Sequence, residues 1–70
     1  MKIVSNFSKR LLELRLERNK TQDELAEEVG IPRVNITGWE KNHHDPKLDN
    51  VIKLALYFNV TVGYLAGFDE

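Results

Sequence analysis

The 70-residue chain contains no cysteine, only two prolines and no long apolar run, and each absence excludes a class of protein. Without cysteine there is neither a disulfide framework nor a thiolate metal site. No apolar run approaches the roughly 20 residues of a membrane span, and residues 1–8 lack the apolar segment of a signal peptide. We therefore expect a cytoplasmic protein that depends on one small apolar core for its stability.

The composition is that of a folded domain, with 41% apolar and 30% charged residues. A chain of this length forms a single domain. We place that domain at residues 1–70, with its core at about residues 7–67. The formal net charge is −1, which by itself argues against a generally basic nucleic-acid binder.

The charges are, however, segregated along the chain. Residues 1–20 carry six lysines or arginines against two glutamates, whereas residues 21–30 carry four acids and no base. A total for the whole chain hides this separation, which permits a local basic edge beside an acidic side.

Apolar residues recur with helical spacing, which predicts five short helices and no strand. The first helix is expected to end near Asn19 and the fourth at Asn59, while Thr61 begins the fifth, which ends at Gly67. The residues predicted to share the packed faces are Phe7, Leu11, Leu14 and Arg18 on the first helix, Leu25, Ala26 and Val29 on the second, Ile36 and Trp39 on the third, and Leu48, Val51, Ile52, Ala55 and Phe58 on the fourth.

The second and third helices have clear boundary signals. Thr21 and Glu24 have the spacing of a capping box, and Gly30 is expected to end the second helix in a left-handed turn. Pro32, which has no N–H to leave unpaired, fits the first position of a third helix that runs to about Lys41.

The link between these two helices is too short for them to lie antiparallel, so they must cross steeply, as in a helix-turn-helix. The fold class predicted is therefore an all-α bundle of five short helices with a helix-turn-helix at the second and third. A helix anchored by one face, with short side chains on the other, is suited to entering a major groove. The residues expected on its open side are Arg33, Val34, Thr37, Gly38 and Lys41.

The segment from Thr21 to Glu40, with the pattern TQxxLAxxVGIPRxxIxxWE, resembles the lambda-repressor/Cro type of helix-turn-helix, the XRE-like family. Flanking residues extend the resemblance over about residues 7–67. The end of the chain, Gly63 to Asp69, is similar to the end of the DNA-binding domain of phage-type repressors.

This resemblance implies a sequence-specific DNA-binding regulator, a repressor of bacterial or phage type, that binds a palindromic operator as a homodimer. The fifth helix, with Tyr64, Leu65 and Phe68, is the expected dimer surface. Arg15 and Glu40 are expected to form a largely buried ion pair. Base contacts are expected from Arg33, Val34, Thr37 and Gly38, and phosphate contacts from Gln22, Asn35, Lys41, Asn42 and His43 or His44.

A protein-interaction module, such as an antitoxin or an accessory subunit that retains the fold, is the alternative. Gly38 and the acidic second helix favour it slightly. An enzyme is not expected, because no catalytic set of residues can be assembled. His43 and His44, without cysteine or a third histidine, make a poor metal site. We therefore expect no metal, no cofactor and no small-molecule substrate.

Overall fold

The computed structural model describes residues 5–68, and the regular secondary structure in that range consists of α-helices joined by turns and loops. Five helices were predicted from the sequence and five are found. No helix of this part of the chain is long and apolar enough to cross a membrane. Residues 1–4 and 69–70 of the predicted domain, including Asp69, lie outside the described residues. The helices are α1 (Ser5–Glu17), α2 (Gln22–Val29), α3 (Arg33–Glu40), α4 (Leu48–Phe58) and α5 (Val62–Ala66).

Most helix ends follow the signals in the sequence. The capping box at α2 is complete: the Thr21 hydroxyl accepts from the Glu24 amide at 3.1 Å, and the Glu24 carboxylate accepts from the Thr21 amide at 2.9 Å. Gly30 ends α2 with a φ of +73°, the left-handed conformation that glycine adopts without strain. Asn59 ends α4 in the same region, and the Thr61 side chain caps α5.

One helix boundary differs from its prediction, and two others lie within two residues of theirs. Pro32 precedes α3 as its cap and is not its first residue, because its ψ of 138° lies outside the helical region. The helix therefore begins at Arg33 and ends one residue before Lys41. Helix α1 ends at Glu17, because Asn19 already has a positive φ of 56°.

The core is shared by the helices: α1 contacts α3 and α5, α2 contacts α3 and α4, and α4 contacts α5. Trp39 is 2% exposed and meets the ring of Phe7 edge-on, with centroids 5.9 Å apart. This contact fixes α3 against α1. The buried apolar residues of the main cluster are Phe7, Leu11, Leu25, Ala26, Ile31, Ile36, Trp39, Val51, Leu54, Ala55, Phe58 and Leu65.

The prediction of packed faces was wrong at four positions, three on α4 and one at the end of α1. Leu48 and Ile52 of α4 are exposed, and Leu54, which the prediction left out, is fully buried. The helix is rotated so that its packed stripe is centred on residues 51, 54, 55 and 58, and Ile52 lies off that stripe. Arg18 is exposed, and its guanidinium lies over the aromatic rings at the end of α4.

Candidate nucleic-acid interface

Within residues 5–68 the structure has no pocket, and the candidate functional site is a surface. The turn between α2 and α3 determines the shape of this surface. The amides of Gly30 and Ile31 both donate to the Ala26 carbonyl, at 2.9 and 3.1 Å, and Ile31 fills the corner at 3% exposure. Ile36 and Trp39 then anchor one face of α3 in the core, which leaves the first residues of this helix on the surface.

The predicted ion pair between Arg15 and Glu40 is present and joins α1 to the end of α3. It is bidentate, with Nε to Oε2 at 2.7 Å and Nη2 to Oε1 at 2.9 Å. The two side chains are 11% and 5% exposed. Arg15 also donates to the Lys20 carbonyl at 2.8 Å, so that it holds the end of α1 as well. The hydrogen bonds to Glu40 raise the pKa of Arg15, against the opposing effect of burial.

Two further residues extend this pair into a network that the sequence analysis missed. The Gln22 side-chain amide donates to Glu40 at 2.8 Å and accepts from the Thr37 hydroxyl at 2.6 Å. Gln22 therefore connects the start of α2 to the middle and end of α3. One of its two side-chain N–H groups and the Thr37 hydroxyl hydrogen are thus used within the domain. The angle between the two helices is determined by polar contacts as well as by the core.

The start of α2 is partly suited to bind an anion. The amides of Gln22 and Asp23 are not used by the capping box, and a helix N-terminus carries a partial positive charge. The same turn carries the Asp23 and Glu24 carboxylates, which oppose that charge. Asp23 pairs with Arg33, the first residue of α3, at 3.1 Å between Oδ1 and Nε.

The exposed start of α3 contains three of the predicted DNA contacts. Arg33 and Val34 are 56% and 71% exposed, and Asn35 is half-buried. Past the end of the helix, Lys41, Asn42 and His43 are exposed, and the structure places them on the loop between α3 and α4. Asn42 has a positive φ of 61°, and its Oδ1 lies 3.3 Å from the hydroxyl of Ser8 on α1.

Gly38 is not on the open side of α3, contrary to the prediction. After the helix the chain turns back, with the His43 amide donating to the Gly38 carbonyl at 2.8 Å. This turn places the His44 ring over Gly38, where a Cβ would overlap the ring. The ring also meets Trp39 edge-on, with centroids 6.2 Å apart. Gly38 is therefore a close-packing position, and no signal in the local sequence indicated its contact with His44.

The "Helix-turn-helix" family model matches residues 11–65 of the chain, from α1 into α5. The chain belongs to this family. It is of the lambda-repressor/Cro type that the sequence resembles, since phage repressors are among its relatives.

The relatives of this helix-turn-helix domain include three proteins that are named as regulators of transcription. The HTH-type transcriptional regulator ImmR of Bacillus subtilis is 38% identical over 93% of this chain and 51% of its own length. The cryptic phage CTXphi transcriptional repressor RstR of Vibrio cholerae is 34% identical over 91% of this chain and 58% of its own length. The HTH-type transcriptional activator BcrR of Enterococcus faecalis is 31% identical over 91% of this chain and 31% of its own length. The chain thus spans about half the length of the first two relatives.

Two of the four acids of α2 in this helix-turn-helix domain form ion pairs. Besides the contacts of Asp23 and Glu24, Glu28 binds Lys20 at 2.8 Å and accepts from the Tyr57 hydroxyl of α4. The bonds from Lys20, and then from Tyr57, lower the pKa of Glu28, while the bond to Glu28 raises the pKa of both Lys20 and Tyr57. Much of the acidic surface is therefore neutralised by its own neighbours.

Proposed function

We propose that this domain binds double-stranded DNA sequence-specifically, as the DNA-binding part of a transcriptional regulator, with α3 in the major groove. The observation that carries the proposal is the exposed start of α3 on an otherwise immobilised helix. Ile36 and Trp39 fix one face, the network around Glu40 fixes its end, and Arg33 and Val34 project from the surface. A rigid element of this shape can place side chains against base edges.

Arg33 is the proposed reader of a guanine, through a bidentate contact to O6 and N7. Val34 is suited to contact a thymine methyl group. Thr37 can contribute its methyl group, and its hydroxyl oxygen as an acceptor only, because its hydroxyl hydrogen is donated to Gln22. Gly38, which lies under His44, is not part of this proposal.

Phosphate contacts are proposed on both sides of α3. On one side, the N-terminus of α2 would bind a phosphate through the backbone amides of Gln22 and Asp23 and the remaining side-chain N–H of Gln22. On the other side are Lys41, Asn42 and His43, which are exposed after the helix, with Asn35 at its start. Such contacts position the domain without reading its target sequence.

A homodimer on a palindromic operator is the proposed assembly, with half-sites about one helical turn apart. One domain of this size covers little DNA, so pairing would supply much of the specificity. Of the three residues predicted for the dimer surface, Leu65 belongs to the core and is excluded. Tyr64 and Phe68 are 37% and 46% exposed and remain the proposed contacts.

By their names, the relatives include both a repressor and an activator. We propose repression, from the similarity to phage-type repressors. The role places the protein in the cytoplasm with the chromosome, without a cofactor, a metal or an enzymatic activity.

Selection of bound sites from random duplexes tests the proposal directly, because half-site sequence and spacing report base readout and dimer geometry together. On a selected site, Arg33→Ala should cost about 1–3 kcal/mol and relax the preference at one base pair. Lys41→Ala should instead weaken binding to all sequences and reduce the salt slope by about one. Equal weakening of all sequences by Arg33→Ala would refute its reading role.

The protein-interaction alternative loses one of its two supports, because Gly38 is explained by His44. Its other support, the acidic α2, is weakened by the pairing of Asp23 and Glu28. Absence of any duplex binding at low salt would overturn the DNA-binding proposal and favour this alternative.

A further inference from the structure

The ion pair between Asp23 and Arg33 connects the two helices of the motif at the surface proposed to meet DNA. Asp23 lies in the first turn of α2, and Arg33 is the first residue of α3. The atoms joined are Oδ1 and Nε, at 3.1 Å, and the side chains are 81% and 56% exposed. The pair thus involves the residue proposed to read a base.

Stability does not explain this pair well. Ion pairs between exposed side chains contribute little to folding, because water screens them and ordering both side chains costs entropy. The helices are already fixed by the core and by the network of Arg15, Gln22 and Glu40. The pair does, however, restrict where the otherwise mobile guanidinium of Arg33 can lie.

The geometry suits an arginine that reads a base while it remains paired. A guanidinium has five N–H groups, and a carboxylate at Nε leaves the terminal nitrogens for a second partner. A guanine presents O6 and N7 to those terminal nitrogens. The carboxylate would also neutralise part of the charge that otherwise draws arginine to the phosphates.

Asp23 also stands beside the proposed phosphate site at the start of α2, where an unpaired carboxylate repels DNA. If Arg33 leaves Asp23 for a phosphate of an unmatched sequence, that repulsion is exposed. If Arg33 reads a guanine while paired, the carboxylate stays neutralised. The arrangement therefore penalises unmatched DNA more than matched DNA.

We propose that Asp23 is a specificity-determining residue, which positions Arg33 toward a base edge and disfavours its use on phosphates. The proposal rests on the DNA-binding function and on base reading by Arg33. It treats Asp23 as a positioning residue, not as a DNA contact.

The test compares three duplexes at one salt concentration, by fluorescence anisotropy: the selected site, the same site changed at the base pair that Arg33→Ala identifies, and a random sequence. Asp23→Ala should tighten binding to the random duplex. It should also reduce discrimination at the identified base pair by about 3- to 10-fold, since good bidentate base contacts provide discrimination of that order or more. Glu27→Ala is the matched control, because it removes the same charge from an exposed position of the same helix.

Asp23→Asn separates position from charge. Asparagine keeps the acceptor oxygen but not the charge, so it should restore the part of the discrimination that positioning supplies, while the random duplex remains more tightly bound than by the wild type. In an Arg33→Ala background, Asp23→Ala should no longer alter discrimination.

The opposing result is a change by Asp23→Ala that is equal on all three duplexes and matches that of Glu27→Ala. If Arg33→Ala relaxes one base pair in the same experiment, that result overturns the role of Asp23 alone. If Arg33→Ala has no base-specific effect, both the reading role of Arg33 and the role of Asp23 are overturned.

Discussion

Replacing Arg15 by alanine would leave the Glu40 carboxylate, 5% exposed, without its cationic partner. Three hydrogen bonds of the guanidinium would be lost, two to Glu40 and one to the Lys20 carbonyl. Gln22 would be the remaining donor to the carboxylate among the contacts of this network. The perturbation is therefore mainly a buried negative charge that has lost its cationic partner and is not solvated by water.

The expected cost is about 3 kcal/mol, the lower end of the range for breaking a buried pair, because this pair lies just beneath the surface. A domain of this length has a total stability of roughly 4–10 kcal/mol, so the variant would be severely weakened. Urea unfolding measures the loss. The fluorescence of Trp39, the single tryptophan, is a suitable probe because this residue is 2% exposed when folded.

Two companion variants test the reason for the cost. Arg15→Lys keeps the charge but not the bidentate geometry and should be intermediate. Adding Glu40→Gln to Arg15→Ala removes the buried charge and should recover about 1–2 kcal/mol. A loss below about 1 kcal/mol for Arg15→Ala would refute the reasoning. So would normal melting combined with an altered base preference, since the pair is read as structural.

Three other predictions follow from contacts in the structure. In a His44→Ala background, where the added methyl group meets no ring, Gly38→Ala should raise the stability by roughly 0.5–1 kcal/mol, and in the wild type it should raise it less. Equal effects in both backgrounds, measured by urea unfolding, would contradict the packing of His44 on Gly38. The pKa of Glu28 is lowered below its ordinary 4.5, so the contribution of its ion pair to folding stability is present above that value and lost as the pH falls through the folded-state pKa. Glu28→Gln should therefore lose less stability than the wild type between pH 7 and pH 3, and parallel losses would contradict this. Phe68→Ser should reduce cooperative binding to a palindromic site, measured by mobility shift, whereas Leu56→Ser, which alters a more exposed apolar residue of α4, should not; the reverse outcome would move the dimer surface to α4.

The motif could be predicted from the sequence because its determinants are local. A capping box needs two residues three apart, and a left-handed helix end needs one glycine, so Thr21, Glu24 and Gly30 located α2 correctly. The ion pair of Arg15 and Glu40 is not local, and it came from the resemblance to a family. Gln22 was expected only to contact phosphate, because nothing in its sequence neighbourhood shows that Glu40 and Thr37 surround it.

The wrong predictions have two physical causes. One is packing between residues that are not neighbours in a helix, and the other is the rotation of a helix about its axis. The turn after α3 determines that His44 covers Gly38, whereas helical periodicity alone places Gly38 at the surface. In α4 eight of the eleven residues are apolar, so its pattern permits more than one packed stripe. The choice of Leu54 over Ile52 depends on where the other helices leave space.

The net charge of −1 acquires a different meaning once the ion pairs are known. The acids of α2 do not form one unpaired repulsive surface, because Glu28 is neutralised by Lys20 and Asp23 by Arg33. The same pairs withdraw two positive charges from general attraction to phosphate. Non-specific binding of the wild-type domain should therefore be weak, and specificity should come from matched contacts at the start of α3. A steep dependence of the specific affinity on Lys41, with no dependence on Lys20, is the result that this distribution of charge requires.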